Sequence, residues 1–266
     1  MHDKVVFITG ATSGLGLSTA KHLQSRGFKV YGTGRNPKGN QPFELIKMDV
    51  RDKNSIENAI SYVLSKEKTI DILINNAGIG ISGSIEDTPT EGMREVFETN
   101  FFGAIEMMKA VLPQMRKQKK GLIINVTSIA GYMGLPFRAI YSASKGALEL
   151  VTEALRIEVK SFGIHIVNVA PGDFATNIAS GRVTTVVDEE SAYALTYKRS
   201  LDLMNAHVDQ GGDPILFGKA IEKIINKENP DIHYKVASFL PKFSIVLKRI
   251  LPDKWYEKML MNHYKL

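Results

Sequence analysis

A tyrosine and a lysine stand four residues apart in the segment YSASK at 141–145, with three small residues between them. If this segment is helical, positions i and i+4 are neighbours, so the Lys145 ammonium would lie close to the Tyr141 phenol. A free phenol titrates near pH 10, so it is a poor base at neutral pH. A nearby ammonium in a partly dry site favours the phenolate and would make Tyr141 a general acid and base. The alternative is an ordinary helix face with a solvated lysine.

A second pattern, TGATSGLG at 9–16, directly follows the apolar run KVVFIT and directly precedes a helical stretch. Glycine lets a backbone turn sharply and approach a pyrophosphate, and the helix N-terminus offers free N–H groups to the phosphates. The GxxxGxG spacing differs from the generic GxGxxG fingerprint, and no Gly-Lys-Ser/Thr follows, which argues against a P-loop. A purely structural turn is the alternative. The predicted cofactor contacts here are Gly10, Thr12, Ser13, Gly14, Leu15 and Gly16.

The end of the second apolar run, GTGRN at 32–36, indicates which dinucleotide would bind. An acidic residue there would accept hydrogen bonds from a ribose 2′-hydroxyl and repel a 2′-phosphate, but this chain has Arg35. A guanidinium can pair with a 2′-phosphate in a forked geometry. The sequence therefore predicts NADP(H) in preference to NAD(H), with a solvated loop arginine as the alternative.

Two further strand ends could contact the cofactor. The NNAG segment at 75–78 would let adenine and ribose pack against Asn76, Ala77 and Gly78, although an isolated NNAG is also a turn signal. Asp49, followed by Val50, could accept a hydrogen bond from the adenine amino group. The alternative for Asp49 is an aspartate that caps a turn.

The composition limits the classes of function. The chain has 266 residues, 44% hydrophobic and 23% charged, and no cysteine, which excludes disulfides, thiol catalysis and thiolate metal sites. We predict no metal site and no nucleic-acid partner. Neither a signal-peptide pattern nor a run of about 18 apolar residues is present, so we expect a cytoplasmic protein. Residues 231–266 contain seven Lys/Arg and three Asp/Glu, hence +4 of the net +6, so peripheral membrane association stays open.

Short apolar runs alternate with helical patterns along the chain. Runs without strict alternation are typical of parallel strands covered on both faces, and strand–helix repetition predicts a doubly wound α/β Rossmann-type fold with a mostly parallel sheet of about seven strands. We predict one domain over 1–266, with an irregular lid at about 173–212 and a C-terminal extension at about 230–266. The predicted strands are 4–9, 29–34, 43–50, 70–76, 122–128 and 165–172, and the predicted helices are 15–25, 54–66, 91–117 and 143–162.

These motifs occur in a familiar order. TGATSGLG, NNAG, Asn100, Ser128, YSASK and PGDFAT at 171–176 resemble the short-chain dehydrogenase/reductase family, single-domain NADP(H)-preferring type, over about residues 4–176. The resemblance implies that Tyr141 is the general acid/base, Lys145 binds the nicotinamide ribose and makes Tyr141 more acidic, Ser128 orients the substrate oxygen, and Asn100 holds a relay water. A strand-terminating hydroxyl at Ser128 and a helix-surface Asn100 are the alternatives.

The segment that follows the sixth strand would complete the nicotinamide site. Its backbone around Thr176 could meet the carboxamide, and Pro171, Gly172 and Phe174 are included in the predicted cofactor set.

The substrate side is expected to be apolar. We predict substrate contacts at Ser128, Tyr132, Phe137 and Tyr141, and hence a hydrophobic carbonyl or alcohol as the small-molecule partner. The alternative is that these apolar side chains fill ordinary core. The other residues expected near the mouth of the crevice are Ile79, Met133, Leu135, Ile140 and Phe174.

The C-terminal tail is similar, more weakly, to those of family members that act on steroid, retinoid or lipid-like alcohols. It could close the pocket, contact a membrane or pack on a subunit neighbour. The resemblance also implies a homodimer or homotetramer paired through the helices at 91–117 and 143–162.

Three functions remain open. The first is an NADP(H)-dependent carbonyl reductase or secondary-alcohol dehydrogenase, with Tyr141 as the general acid/base. The second is a catalytically silent NADP(H)-binding sensor, which would not need a proton donor. The third is an epimerase or dehydratase on the same scaffold. Neither the substrate nor the physiological direction follows from the sequence.

Overall fold

A seven-stranded parallel sheet forms the centre of the molecule in the computed structural model, which describes residues 3–176, 183–184 and 190–266. The spatial order is β3-β2-β1-β4-β6-β7-β9. A separate pair of two-residue strands, β5 Ile81–Ser82 and β8 Val183–Thr184, is also parallel. The strands of the main sheet are β1 Val5–Ile8, β2 Lys29–Gly34, β3 Glu44–Lys47, β4 Ile72–Asn75, β6 Gly121–Val126, β7 Ile164–Pro171 and β9 His233–Val236.

Helices cover both faces of this sheet, which is why β1 and β4 are buried at every position. Apolar side chains of α2, α4 and α5 form the core on one face, and those of α1 and α7 form it on the other. The predicted doubly wound fold is confirmed. The helices are α1 Gly14–Ser25, α2 Lys53–Glu67, α3 Thr90–Phe97, α4 Gly103–Gln118, α5 Ala139–Glu158, α6 Ala194–Asp209, α7 Pro214–Ile225, α8 Phe239–Ile250 and α9 Asp253–Tyr264.

Two predicted helices differ from those of the structure. The helix expected over 91–117 is interrupted by one π-helical turn, Glu98–Phe102, which separates α3 from α4. The helix expected to begin at residue 143 begins at Ala139, so Tyr141 lies in its first turn. Both differences lie next to residues with predicted chemical roles, and π-helical turns in particular are frequent at functional sites.

The stretch at 173–212 is only partly irregular. Residues 194–209 form α6, so the expected lack of regular structure was wrong there, whereas the parts of the expected lid at 177–182 and 185–189 lie outside the described residues. Phe174 forms a parallel bridge with Gly212, which ties the two ends of this stretch together.

The C-terminal extension expected from about residue 230 begins inside the sheet. β9 pairs in parallel with β7 as the seventh strand, and only α8 and α9 lie beyond it. Ile245 and Tyr256 of these two helices are buried against Met133 and Ala170. Among the described residues, no helix is both long and apolar enough to cross a membrane.

Candidate active site

The carboxyl ends of five parallel strands bring most of the predicted residues to one edge of the sheet. β1 ends before the glycine loop, β2 before Arg35, β3 before Asp49, β4 at the NNAG segment and β6 before Ser128. The strand order reverses between β1 and β4, and such switch points form the ligand crevice of open α/β sheets.

The glycine loop is closely packed against the end of β4. Gly10 has φ +68°, and a Cβ added to it would lie 2.9 Å from Ala77 Cα. A Cβ on Gly16 would lie 2.3 Å from the Gly10 carbonyl oxygen, so only glycine fits at this contact. Thr176 borders the same loop, because its Cβ lies 3.5 Å from the Cβ position of Gly14. The first turn of α1 is thereby held at the crevice, where its N–H groups can bind phosphate.

Asn76 and Thr9 hold this arrangement together through hydrogen bonds that the sequence analysis missed. The Asn76 side-chain amide donates to the carbonyls of Thr9 and Gly10, at 2.9 and 3.1 Å. The Thr9 hydroxyl accepts from the N–H groups of Asn76 and Ala77, at 3.0 and 2.9 Å. The Asn76 amide therefore shapes the glycine loop, and the expected packing of adenine and ribose against this strand end stays a prediction.

Arg35 is exposed at the carboxyl end of β2, where a ribose substituent could reach it. Asp49 accepts hydrogen bonds from the Arg51 backbone and side chain, which is the turn-capping arrangement, and both of its carboxylate oxygens contact the guanidinium. The Arg51 hydrogen bonds hold the pKa of Asp49 below its usual range, and Arg35 acts in the same direction. The negative charge of Asp49 is therefore compensated, and a phosphate near Arg35 would meet a positive environment. Val50 packs against α4, close to Gly103.

Tyr141 and Lys145 are both buried and face each other on α5. The Lys145 ammonium lies 6.0 Å from the centroid of the Tyr141 ring and donates to the Val126 carbonyl at 2.9 Å. Desolvation lowers the pKa of Lys145 to about 8, so the lysine is still mostly protonated at pH 7. The Arg138 guanidinium lies 5.3 Å from the same ring, a second cation that the sequence analysis did not find.

Ser128 directly follows β6 and caps the short 3₁₀ turn Ile129–Tyr132. Its Oγ accepts a hydrogen bond from the Ala130 N–H at 3.1 Å, and the side chain is buried. A hydroxyl has one donor and two acceptor positions. The capping contact uses an acceptor position, so the Ser128 O–H remains able to donate to a substrate oxygen.

Asn100 lies inside the π-helical turn and is 1% exposed. Its Oδ1 accepts from the Ile79 N–H at 2.8 Å, and its Nδ2 donates to the Ile79 carbonyl and to Ser144 Oγ. Ser144 Oγ in turn donates to the Tyr141 carbonyl at 2.8 Å. Asn100 therefore clamps the loop after NNAG to the start of α5, rather than lying on a helix surface.

Gly78 lies against the side chains of Asn100 and Lys145. A Cβ added to Gly78 would lie 3.2 Å from Asn100 Oδ1 and 3.4 Å from Lys145 Nζ. Both polar atoms thus border the same spot, where a relay water could contact them. The expected water-holding role of Asn100 stays a prediction.

An apolar cluster surrounds Tyr141. Ile81, Val96 and Ala130 are buried with it, and Ile79, Leu135 and Ile140 pack against them. Phe137 has φ +56°, and its ring lies 5.5 Å from that of Tyr197 on α6. The predicted mouth residues Ile79, Leu135 and Ile140 therefore lie around Tyr141, and Phe137 lies against Tyr197 of α6.

Three predicted contacts lie elsewhere. Phe174 is buried in the core against Phe217, with ring centroids 5.9 Å apart, so its side chain is withdrawn from both cofactor and substrate. Met133 packs under the C-terminal helices and accepts a hydrogen bond from the Tyr256 hydroxyl. The Tyr132 hydroxyl lies 3.5 Å from His233 Nδ1 and contacts Glu149, so it is engaged away from Tyr141.

Pro171 and Gly172 lie at the end of β7 beside β9, where the Gly172 N–H donates to the Val236 carbonyl.

A buried polar network behind the site was also missed. The Asn75 amide donates to Asn125 Oδ1, and the Asn125 amide donates to Thr152 Oγ1, at 2.9 and 2.8 Å. Beside it, Thr127 Oγ1 donates to the buried Glu149 carboxyl at 3.0 Å. An asparagine within the apolar strand LIINV was the signal that could have revealed this network, since asparagine is disfavoured in strands.

A cavity of about 590 Å³ opens between the loop after β6 and the two C-terminal helices. Leu135 and Ala139 line one side, and Leu135 also packs in the cluster around Tyr141. Tyr256 and Leu260 of α9 are on the other side. An apolar group bound next to Tyr141 could extend into this space.

Comparison with known families accounts for this arrangement. The family model described as "short chain dehydrogenase" matches residues 4–186. The chain belongs to the short-chain dehydrogenase/reductase family. It is therefore an oxidoreductase of that family, whose members use NAD(P)(H), act on small molecules and usually form oligomers.

Individual relatives agree with this assignment. The chain is 38% identical over 268 residues to "3-ketodihydrosphingosine reductase" of Bacteroides thetaiotaomicron, covering 100% of both chains. It is 32% identical to "Dehydrogenase/reductase SDR family member 7B" of Rattus norvegicus, covering 97% of this chain and 81% of that protein. A solved short-chain dehydrogenase from Streptomyces avermitilis superposes with a TM-score of 0.81 at 31% identity, covering 96% of this chain and 97% of the other.

Proposed function

We propose that the protein transfers a hydride between NADP(H) and a carbonyl or secondary alcohol of a long-chain, lipid-like substrate. The observation that carries the proposal is the arrangement at Tyr141, where a buried ammonium lies 6.0 Å from the centroid of a buried phenol ring beside an apolar cluster, and Leu135 of that cluster also lines the cavity. A catalytically silent sensor that binds NADP(H) would have no need of the proton donor Tyr141.

The cofactor fits the residues that are present. The glycine loop brings backbone and a helix N-terminus to the crevice, and Arg35 lies exposed at the strand end that discriminates a 2′-phosphate from a 2′-hydroxyl. Lys145 would hold the nicotinamide ribose. When bound, the nicotinamide supplies or accepts the hydride.

The protein's own residues would manage the proton. Ser128 Oγ–H and the Tyr141 hydroxyl both donate to the substrate carbonyl oxygen, and Tyr141 gives up its proton as the oxygen becomes an alkoxide. Lys145 and Arg138 stabilise the phenolate that remains. A water in the space before Gly78 would return the proton, guided by Asn100 Oδ1 and Lys145 Nζ.

The substrate class rests on the apolar surroundings and on the relative named 3-ketodihydrosphingosine reductase. A long chain beside the reacting carbonyl would enter the cavity lined by Leu135 and Leu260. Each methylene buried there contributes about 0.8 kcal/mol, so four or more of them raise kcat/KM by roughly 100-fold.

The test is an NADPH-oxidation assay that compares 3-ketodihydrosphingosine with short ketones such as 2-butanone. We expect kcat/KM for the long-chain ketone to exceed that for 2-butanone by about 100-fold or more. Equal values would contradict the lipid-like substrate while leaving the carbonyl chemistry intact. No turnover of any carbonyl or alcohol, together with tight NADPH binding, would contradict the enzymatic proposal itself.

A further inference from the structure

The outer side of the C-terminal tail carries apolar side chains that contact little else among the described residues. Phe239, Phe243, Val246 and Ile250 recur at spacings of four, three and four residues, which places them on one stripe of α8. Phe239 is 73% and Ile250 67% exposed, whereas Ile245 on another side of the helix is buried. We call these four residues the α8 stripe.

The start of the α8 stripe is aromatic. The Phe239 and Phe243 rings stack with centroids 5.5 Å apart, which makes one broad aromatic patch at the start of α8. Leu240 and Trp255 are also exposed, at 74% and 70%. Apolar patches of this kind mark interaction sites when polar residues surround them.

Positive charge accompanies the stripe. Residues 239–266 contain six Lys/Arg and two Asp/Glu, a net charge of +4. Lys242 and Arg249 are exposed on α8, seven residues apart and therefore on one side of the helix, adjacent to the stripe. Lys254 and Lys258 are exposed on α9.

This combination decides between possible partners. If a second copy of the chain docked on this surface, two segments of net charge +4 would face each other, and their lysines and arginines would repel. An anionic lipid surface instead accepts the apolar stripe below its headgroups and pairs the basic side chains with them, as amphipathic helices lying in a membrane interface do. We propose that α8 and α9 form a docking surface for anionic membranes.

Docking would also affect how substrate reaches the site. The 590 Å³ cavity is lined by Lys248 and by α9 residues that include Tyr256 and Met261, so the same two helices form the docking surface and one wall of the cavity. A lipid-like substrate could pass from the membrane into the cavity without crossing bulk water. This consequence rests on the proposed function, whereas the docking does not.

Co-sedimentation of the full chain with vesicles tests the docking without any turnover. We expect binding to 70% phosphatidylcholine/30% phosphatidylserine vesicles and at least 10-fold weaker binding to pure phosphatidylcholine vesicles. The double variant Phe239→Ser/Phe243→Ser should weaken binding to the anionic vesicles at least 10-fold. The matched control Ile85→Ser/Leu216→Ser, which removes exposed apolar side chains elsewhere, should bind as the wild type does.

Three results would overturn the proposal. The first is that the wild type does not bind anionic vesicles. The second is that both double variants lose binding equally. The third is that the Phe239→Ser/Phe243→Ser variant binds vesicles normally but dissociates into smaller oligomers in sedimentation velocity. Circular dichroism melting curves of the variants verify that each is folded. Vesicle binding without reduction of any keto-lipid would contradict the proposed function and leave the docking proposal standing.

Discussion

Burial of the Lys145 ammonium destabilises the folded state, and its lowered pKa reflects this destabilisation. Desolvation lowers its pKa to about 8, and the described structure gives its ammonium a backbone carbonyl as partner, Val126. A methionine would fill the same space without this cost, but it could not take the proposed role of holding a ribose and stabilising a phenolate. A buried charge kept at this position is therefore what the proposed chemistry predicts.

Replacing Arg35 with alanine should change the cofactor preference. The guanidinium is exposed at the end of β2, and its loss removes a forked, charge-assisted contact to the 2′-phosphate, worth about 1.5–3 kcal/mol. Steady-state kinetics should show KM for NADPH raised by roughly 10- to 100-fold, with KM for NADH nearly unchanged. Lys21→Ala, which removes one exposed positive charge from α1, is the control and should alter neither. Equal changes for both cofactors would contradict NADP(H) selection by Arg35.

Glu149 makes a prediction about pH and stability. Burial raises the pKa of this carboxyl to about 7, partly opposed by hydrogen bonds from Thr127 and Tyr132. Between pH 4.5 and 7 the unfolded chain ionises Glu149 while the folded chain keeps it protonated, so the unfolded state binds fewer protons. Stability therefore falls as pH rises through this window, by about 3 kcal/mol in total.

Glu149→Gln keeps the acceptor for Thr127 and removes the titration. Urea unfolding is measured from pH 4.5 to 8. The free energy of unfolding of the variant should exceed that of the wild type above pH 7, and the fall between pH 4.5 and 7 that Glu149 causes should be absent. Glu158→Gln, at an exposed position of the same helix, is the control and should retain the wild-type slope. A Glu149→Gln variant with an unchanged slope would contradict the buried titration.

At the scale of elements, the π-helical turn and the start of α5 form one unit. Asn100 contacts Ile79 and Ser144, and Ser144 contacts the Tyr141 carbonyl, so the turn fixes where the first residues of α5 lie. π turns occur mostly at functional sites. The unit also borders the position in front of the Gly78 Cα, where Asn100 Oδ1 and Lys145 Nζ come together.

Filling that space should slow catalysis. In a Gly78→Ala variant the added methyl would lie 3.2 Å from Asn100 Oδ1 and 3.4 Å from Lys145 Nζ, which displaces a relay water or shifts the lysine. We expect kcat to fall by about 100-fold, the lower end of the contribution of a positioned proton-transfer group. Gly134→Ala is the control when a short ketone is the substrate, because nothing lies within 4 Å of its Cβ position and a short ketone does not reach the cavity that Gly134 lines. Unchanged kcat in Gly78→Ala would show that no proton passes this point.

The elements near the motifs could be predicted from sequence, and the others could not. The geometry of the glycine loop and of the YSASK segment depends on turns and helices that span only a few residues. The close packing at Gly10 and Gly16 and the proximity of Tyr141 and Lys145 therefore agree with the spacing in the sequence. Phe174 turns into the core because Phe217, 43 residues later, packs against it. Such long-range packing has no signal in the local pattern.

The C-terminal elements show the same limitation. β9 is a short segment that is recognisable only through its pairing with β7, and Met133 is covered by helices that follow it by more than a hundred residues. The π turn differs from a regular helix by one hydrogen-bond register, and propensity does not detect that difference. Asn100 itself, a poor helix former, was the one local hint.

At the scale of the whole molecule, α4 and α5 present an apolar surface that suits subunit pairing. Leu150 and Ile157 are 67% and 77% exposed, and a groove between these helices is lined by Ile105, Leu112 and Leu155. Family members usually form oligomers. The expected homodimer or homotetramer would bury this surface.

Charges on this surface should dissociate the oligomer. Leu150→Glu/Ile157→Glu would bury like charges across a symmetric contact, so light scattering coupled to size exclusion should show a smaller species than the wild type. The control Leu195→Glu, on exposed α6, should leave the mass unchanged. An unchanged mass in the double variant would assign the subunit contact to another surface.

The central claim is that Tyr141 is the proton donor, and Tyr141→Phe tests it most directly. The ring and its apolar contacts remain while the hydroxyl is lost, so we predict that NADPH binding, measured by fluorescence titration, stays within about threefold while kcat for a keto-lipid falls at least 1,000-fold. Tyr31→Phe, which removes a hydroxyl that donates to Glu67 of α2, should keep full turnover. Turnover by Tyr141→Phe within 10-fold of the wild type would contradict the account.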